Sequence, residues 1–307
     1  MQILLTGGTG FIGAALIPAL LAGGHEVIVL SRRAHTDRSR CRYIQSLDEV
    51  STQTRLGAVI NLAGASLAAR RWSADYKREI VDSRLDTTRQ LLALFRRLEH
   101  CPRTLLSASA VGYYGHHGDD CLSESATVDP GFAQALCSDW ESLARQAESL
   151  GVRVCLLRLG VVLDSGGGAL EEMAKSFHFG VASWLGSGRQ WLSWVHRQDV
   201  VRACEFLLER EALQGPFNIT SPRPVTGRGL ATALQAHFRT FIRAGVPAPV
   251  MRLLVGEMAD ELLLNGQRVV PERLQAAGFE FNYADIDSAL AAIYCDHTTL
   301  RTRSSSG

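Results

Sequence analysis

The chain has no surplus of charge of either sign. Its 307 residues carry 32 Lys and Arg against 31 Asp and Glu, which argues against a nucleic-acid partner and against an acidic solvating tail. No apolar run approaches the roughly 18 residues that span a membrane. The first motif begins almost at Met1, with no charged and apolar leader ahead of it, so the expected location is the cytoplasm. Seven cysteines include no C-x-x-C pair and do not cluster with histidines. Scattered reduced thiols fit that pattern better than a disulfide frame or a zinc site, and no metal is expected. No internal repeat is found. What remains, 46% hydrophobic and 21% charged residues, is an ordinary globular composition, long enough for one large α/β domain or two smaller ones.

Against that background the first thirteen residues, M-Q-I-L-L-T-G-G-T-G-F-I-G, stand out. An apolar run at 3–5 enters glycines, and Phe11, Ile12, Ala15, Leu16 and Leu20 then recur at helical spacing, which predicts strand, tight turn and helix. Gly8, Gly10 and Gly13 satisfy G-x-G-x-x-G: the first glycine allows the turn, the second lets a pyrophosphate approach the backbone, and the third lets helix pack on strand. The diphosphate would lie where free N–H groups meet the positive end of the helix dipole. A second buried strand is expected at 26–30, E-V-I-V-L, and its exit reads Ser31-Arg32-Arg33 with no acid. An acid there would bind a ribose 2′-hydroxyl, whereas arginine accommodates a 2′-phosphate, so NADP(H) is expected over NAD(H). Arg38, Arg40 and Arg42 read as a solvated basic loop.

Further strands are expected at 57–64, ending in small residues, at 104–110 and, by continuous apolarity, at 153–163. Helices are expected at 72–98, 132–150 and 199–208 and through most of 226–294, broken by prolines. The segment 184–195 reads as a hairpin or flap, and a short strand is expected at 217–220. Strands alternating with helices imply a mostly parallel sheet with right-handed crossovers. The expected fold is therefore α/β, a Rossmann-like doubly wound parallel sheet with a smaller, mainly helical C-terminal lobe. The nucleotide domain is placed at 1–165 with 192–222 returning to it, the lobe at 166–191 and 223–298, and a disordered tail at 299–307.

Six segments carry a family resemblance: T-G-G-T-G-F-I-G at 6–13, N-L-A-G-A at 61–65, W-S-A-D-Y-K-R-E-I-V-D-S-R at 72–84, S-A-S-A-V-G-Y-Y-G at 107–115, G-S-G-R-Q-W-L-S-W-V-H-R-Q-D at 186–199 and V-V-P-E-R-L-Q-A-A-G-F at 269–279. On them the chain resembles the extended short-chain dehydrogenase/reductases, specifically the atypical branch of epimerase family proteins, similar to nucleoside-diphosphate-sugar epimerases. The resemblance runs nearly end to end. It implies a Rossmann domain carrying NADP(H), a C-terminal domain closing a cleft over it, and an oxidoreductase or epimerase-like activity. In active extended members a Ser or Thr at the end of the 104–110 strand orients substrate, and a Tyr followed four residues later by Lys transfers a proton. Ser109 fills the first position. The second motif is absent: with Glu141 aligned to the family's acidic residue, the tyrosine slot falls on Ala133 and the lysine slot on Cys137.

Three functional readings stay open: another acid/base, for which Tyr113 and Tyr114 are the nearest candidates; hydride transfer without strong acid/base help; or a catalytically silent NADP(H)-binding sensor. The residues expected to hold cofactor are Gly7, Gly8, Thr9, Gly10, Phe11, Ile12 and Gly13, then Ser31, Arg32 and Arg33, then Leu62, Ala63 and Gly64, with Arg84 and Ser107. Lys77 and Arg84, two helical turns apart, can share one side of their helix and hold an anion, or form a solvated face. Arg189, in G-S-G-R-Q at 186–190, is a candidate phosphate clamp or a plain hairpin residue. His196 is a candidate site wall, or simply hydrogen-bonded beside an N-cap at Asp199. Arg158, inside an apolar strand, needs a partner, for which Asp164 and Glu124 are candidates. Trp184, Trp191 and Trp194 suit packing, or stacking on a base. The expected partner is a small substrate of anionic character, with oligomerisation left open.

Overall fold

The computed structural model describes residues 1–303, with side chains described as far as Tyr294. The chain divides into two compact units. Unit 1 comprises Met1–Tyr113, Gly131–Leu159 and Val200–Phe217, and unit 2 comprises Tyr114–Pro130, Gly160–Asp199 and the chain from Asn218 onward.

The expected strand, turn and helix open the molecule as β1 (Gln2–Thr6) and α1 (Gly13–Ala22), followed by β2 (Glu26–Leu30) and β3 (Cys41–Ile44). β4 (Leu56–Asn61) leads into α2 (Ala74–Arg97), and β5 (Thr104–Ala110) is followed by the short β6 (Cys121–Leu122). α3 (Phe132–Arg145), ending in a 3₁₀ turn over Gln146–Leu150, returns to β7 (Arg153–Leu159). Ile3, Leu4, Leu5, Val59, Ile60, Leu106, Leu156 and Leu157 are all buried because helices cover both faces of the sheet. α2 begins cleanly: the Ser73 hydroxyl accepts from the Tyr76 amide at 3.1 Å, Asp75 stands in the first turn, and Arg96 and Arg97 stand in the last. Its stripe of Ile80, Leu91, Leu92 and Phe95 is buried, the last three packing with Leu4, Val59, Leu105 and Val154.

The remaining elements are β8 (Val161–Leu163), α4 (Gly168–His178), β9 (Val181–Leu185), β10 (Trp191–Leu192), β11 (Trp194–His196), α5 (Arg197–Glu209) and β12 (Gly215–Ile219). β13 (Val225–Thr226), α6 (Gly227–Gln235), β14 (Ile242–Val246), α7 (Ala248–Val255), β15 (Arg268–Val269), α8 (Glu272–Ala276) and α9 (Ile286–Arg303) complete the chain. The last four residues of the expected tail, 299–307, lie outside the described residues.

The central sheet has seven strands in the order β12-β7-β5-β4-β1-β2-β3. From β3 to β7 every neighbouring pair is parallel. This is the doubly wound α/β sheet the sequence predicts, with the order reversing between β1 and β4. Three local expectations need correction. Arg42 lies on the edge strand β3, paired to Ile28 of β2, and not in a basic loop. The two aromatic runs at 184–195 do not form a hairpin: β9 pairs in parallel with β14, β10 antiparallel with β13 and β11 in parallel with β8. The 226–294 segment is not helical throughout, since it contributes β14 and β15 as strands. A second core, built from Leu163, Phe177, Trp194, Leu230, Leu234 and Leu290, holds unit 2 together.

Candidate functional site

In a doubly wound sheet the ligand crevice lies beyond the carboxyl ends of the strands where the order reverses, and here those ends are Thr6 of β1 and Asn61 of β4. The turn after β1 is shaped by glycine in a way the motif only partly indicates. Gly7, rather than Gly8, carries the left-handed conformation, with φ +68°, and a Cβ on it would lie 2.5 Å from the Leu62 carbonyl oxygen. Gly8 instead packs against Val29, and a Cβ at Gly13 would collide with the Gly7 carbonyl. The Gly10 amide donates to the Gly7 oxygen at 3.0 Å and the Ala14 amide to the Gly10 oxygen at 2.9 Å, so the turn closes directly onto α1. Ile12 at the N-cap offers no polar side chain and the first turn has no acid. Thr9 and Gly10 are exposed, and Phe11 and Ile12 are half-buried. The result is a helix N-terminus and a glycine cradle facing solvent, the arrangement that receives an anion.

Beside it, Thr6 donates to Asn61 Oδ1 at 2.6 Å, Asn61 Nδ2 donates to Thr88 Oγ1 at 3.1 Å, and Trp140 Nε1 donates to the same Thr88 oxygen at 3.1 Å. The Ala63 amide donates to Thr6 Oγ1 at 3.2 Å. This buried chain fixes the Leu62-Ala63-Gly64 backbone. Asn61 and Thr88 escaped the sequence reading. The available signal was an asparagine closing an apolar strand, which must be satisfied internally. Thr6, Asn61 and Ser107 stand in register across β1, β4 and β5. Ser107 Oγ is the one buried side-chain polar atom without a hydrogen-bond partner among the described residues.

At the β2 exit Ser31 is buried, Arg32 and Arg33 are exposed, and the Arg33 amide donates to Ser31 Oγ at 3.2 Å. Lys77 and Arg84 both lie on the α3-facing side of α2. The Lys77 ammonium sits 4.7 Å from the Phe132 ring centre and the Arg84 guanidinium 5.4 Å from that of Trp140. Arg84 donates to the carbonyls of Ile80 at 2.9 Å and Ala65 at 3.1 Å. Burial lowers its pKa, with Cys137 and Tyr76 opposing.

The β5 exit departs most from expectation. Ser109 is only 2% exposed, and its hydroxyl donates to Glu141 Oε1 at 2.7 Å. The same carboxylate receives Arg158 Nε at 2.8 Å and Nη2 at 2.9 Å. Arg158 is therefore paired with Glu141. Of the two acids expected, Asp164 pairs with Arg197 at 2.7 Å, and Glu124 accepts from the backbone amides of Asn218 and Arg273. The Tyr113 ring covers the Arg158 guanidinium at 3.5 Å. Ala133 Cβ and Cys137 Sγ face Gly112, and burial first, then Glu141, pushes the Cys137 thiol up to about 11. Glu141, used in the sequence only to align the helix, is the centre of this cluster.

Unit 2 holds the other candidates. Tyr114 is completely buried and donates its hydroxyl to Asn218 Oδ1 at 2.6 Å, so it packs rather than faces a ligand. His196 is also buried, 4.0 Å from the Tyr283 ring, with Nδ1 accepting from the Gln198 amide at 3.1 Å. It is no open site wall, and burial lowers its pKa. Asp199 does not cap α5. It lies in that helix's first turn, and its carboxylate accepts the amides of Asn282 and Tyr283, each at 2.9 Å. Trp194 is core, while Trp184 and Trp191 carry Arg228 and Arg268 on their rings. Arg189 is exposed on the turn between β9 and β10, its guanidinium meeting no acceptor among the described residues.

Comparison with known proteins agrees with the fold. Residues 3–220 match the profile of the NAD dependent epimerase/dehydratase family, and residues 246–293 match a domain of unknown function, DUF1731. The chain is 39% identical to an epimerase family protein of Mycobacterium bovis over 94% of its length and 96% of that protein. It is 35% identical to an epimerase family protein of Staphylococcus aureus, covering 94% and 97%. Among solved structures it resembles the human epimerase family protein SDR39U1, crystallised with NADPH, at 32% identity and a TM-score of 0.87, covering 96% of this chain and 99% of that one.

Proposed function

Because the chain belongs to the NAD dependent epimerase/dehydratase family, we propose that unit 1 binds NADP(H) and that the protein is an oxidoreductase or nucleoside-diphosphate-sugar-epimerase-like protein acting on a small anionic substrate. The observation that carries the proposal is the β1–α1 turn, where Gly7 and Gly13 occupy positions a Cβ would fill and an apolar N-cap leaves the helix terminus to an anion. The orphaned Ser107 hydroxyl supports it, since a buried polar atom without a partner costs stability unless a ligand satisfies it. Residues 7–13 would hold the diphosphate. Ser31, Arg32 and Arg33 would take a 2′-phosphate, where guanidinium suits phosphate geometry and no carboxylate repels it. Leu62, Ala63 and Gly64 would face the remainder of the cofactor, with Arg84 as a nearby cation. The human relative crystallised with NADPH favours the same cofactor. When bound, the nicotinamide supplies hydride transfer.

The protein's own share of the chemistry narrows to Tyr113. The chain contains no Tyr-x-x-x-Lys, the Ser109 proton is committed to Glu141, and Tyr114 is enclosed. Tyr113 stays half-buried against Arg158 and is the residue proposed to move a proton. The committed Ser109 hydroxyl also favours a second reading, a catalytically silent NADP(H) sensor. One experiment separates them: bound NADPH is incubated anaerobically with sugar nucleotides, aldehydes, quinones and enones, following nicotinamide absorbance and sugar-nucleotide products. The enzyme reading expects one class to react, and Tyr113→Phe to lose about 10²-fold or more in rate while keeping cofactor. No consumption and no product across the panel selects the sensor.

A further inference from the structure

The tryptophan-to-arginine motif at 72–84 turns its polar side chains onto one short segment, the loop that leaves β4. Arg84 Nη2 donates to the carbonyl of Ala65 at 3.1 Å, the Tyr76 hydroxyl to the carbonyl of Ser66, and Trp72 Nε1 to the carbonyl of Leu67 at 2.8 Å. The Ala65 amide donates to Ser83 Oγ at 2.9 Å. Three consecutive carbonyls are thus drawn toward α2 and its lead-in. In a planar trans peptide the N–H points opposite to the C=O, so the amides of Ser66 and Leu67 are turned the other way, one after the other. Neither has an acceptor among the described residues, and Ser66 is exposed. The charge beside this pair is positive. Arg84 is half-buried, and its contacts are the carbonyls of Ile80 and Ala65 and the ring of Trp140, with no carboxylate among the described residues. Gly64 admits it, since a Cβ there would lie 3.0 Å from Arg84 Cζ. Asp75 and Glu79, at the start of α2, are paired with Arg78 and Arg70. A cation withdrawn from water without a carboxylate favours an anion nearby.

We propose that the Ser66 and Leu67 amides form the subsite for the oxyanion of the substrate, a phosphate or a carboxylate, and that Trp72, Tyr76, Ser83 and Arg84 are the positioning residues that hold this backbone in place. The inference rests on the reading of the protein as one that acts on a small anionic substrate, and it assigns that anion to a segment. Successive backbone N–H groups turned to one side make the concavity that binds anions. A fixed pair of donors matches two oxygens of one phosphate or carboxylate, and a hydrogen bond to a charged acceptor is stronger than one to a neutral group. The location agrees. The segment continues from the carboxyl end of β4, beside the reversal of strand order where a doubly wound sheet takes its ligands. Leu62, Ala63 and Gly64 are proposed to face the cofactor, and the residues next along the chain would face what lies beyond it. A loop that is only solvated needs no such set of braces.

The test is a nuclear magnetic resonance titration of the full chain, isotope-labelled at the backbone nitrogens of serine, leucine and glycine. Inorganic phosphate, and separately acetate, is added to the protein with and without saturating NADPH. Saturable shifts of the Ser66 and Leu67 amides are expected, and the anion that binds more tightly names the oxyanion. Tyr76→Phe, which releases the Ser66 carbonyl, is expected to weaken that binding by about tenfold while the glycines of 7–13 respond to NADPH as in the wild type. Ser66→Pro removes one donor outright and is expected to abolish saturation at Leu67. An unchanged melting curve would show that each variant folds. Ser66 and Leu67 amides that saturate with neither anion overturn the proposal, even where the glycines respond to NADPH. Binding indifferent to both variants overturns it equally. The glycines report the cofactor separately: if they ignore NADPH the cofactor reading fails, and the titration of the nucleotide-free protein still decides the subsite.

Discussion

Glu141 and Arg158 meet through two hydrogen bonds, at 2.8 Å and 2.9 Å, while both are almost fully buried. Removing one partner leaves the other charge uncompensated. Glu141→Gln or Arg158→Met is therefore expected to lower unfolding free energy by about 3–5 kcal/mol in urea titration, and the double variant Glu141→Met/Arg158→Met to recover much of that loss. His196 makes a prediction in pH. Burial holds its folded pKa below 6.5, so below pH 6.5 the unfolded chain binds a proton that the folded chain lacks. Its contribution to stability is present above pH 6.5 and is lost as pH falls toward the lower folded value. Thermal melts of His196→Gln between pH 5 and 8 are expected to show a shallower acid decline than the wild type. At this scale the sequence showed only that Arg158 needed a partner. Which acid supplies it depends on how α3 packs over β5 and β7, seventeen residues away along the chain, and no local pattern records that.

The β1–α1 turn concentrates the ligand argument in one element. Alanine at Gly13 would drive its Cβ into the Gly7 carbonyl, and alanine at Gly7 would add strain at φ +68° to a 2.5 Å clash with Leu62. Each is expected to weaken NADPH binding by about tenfold or more and to cost about 1–3 kcal/mol of stability, measured by fluorescence titration and thermal melting. The elements most legible in the sequence are those whose signal is local. β1, β2, β4, β5 and β7 are mostly apolar runs because both faces are covered, and α2 announces its start through Ser73. β3 was hidden because an edge strand with an exposed Arg42 alternates among arginines and resembles a loop. β10 and β13 are two residues each, too short for any period, and exist only because they pair.

Across the whole molecule the chain passes between its two units five times, so linear domain boundaries describe it poorly and each unit is assembled from distant segments. The parallel sheet nevertheless follows from strands alternating with helices, and the glycine motif marks the point where the strand order reverses. The catalytic side was far less legible. The family resemblance leads one to look for a Tyr-x-x-x-Lys pair, which the sequence does not contain, but only the folded chain places Ser109 inside a salt-bridge network and Tyr113 against Arg158. Cofactor binding is tested most directly by a titration of the protein with NADPH and with NADH, repeated on Arg32→Ala/Arg33→Ala. Saturable binding that favours NADPH by about tenfold or more, with the preference falling in the double variant, is the predicted result, because a paired guanidinium–phosphate contact of this kind is worth roughly 1.5–3 kcal/mol. Binding of neither nucleotide, or a preference that the arginine variants leave unchanged, would contradict it.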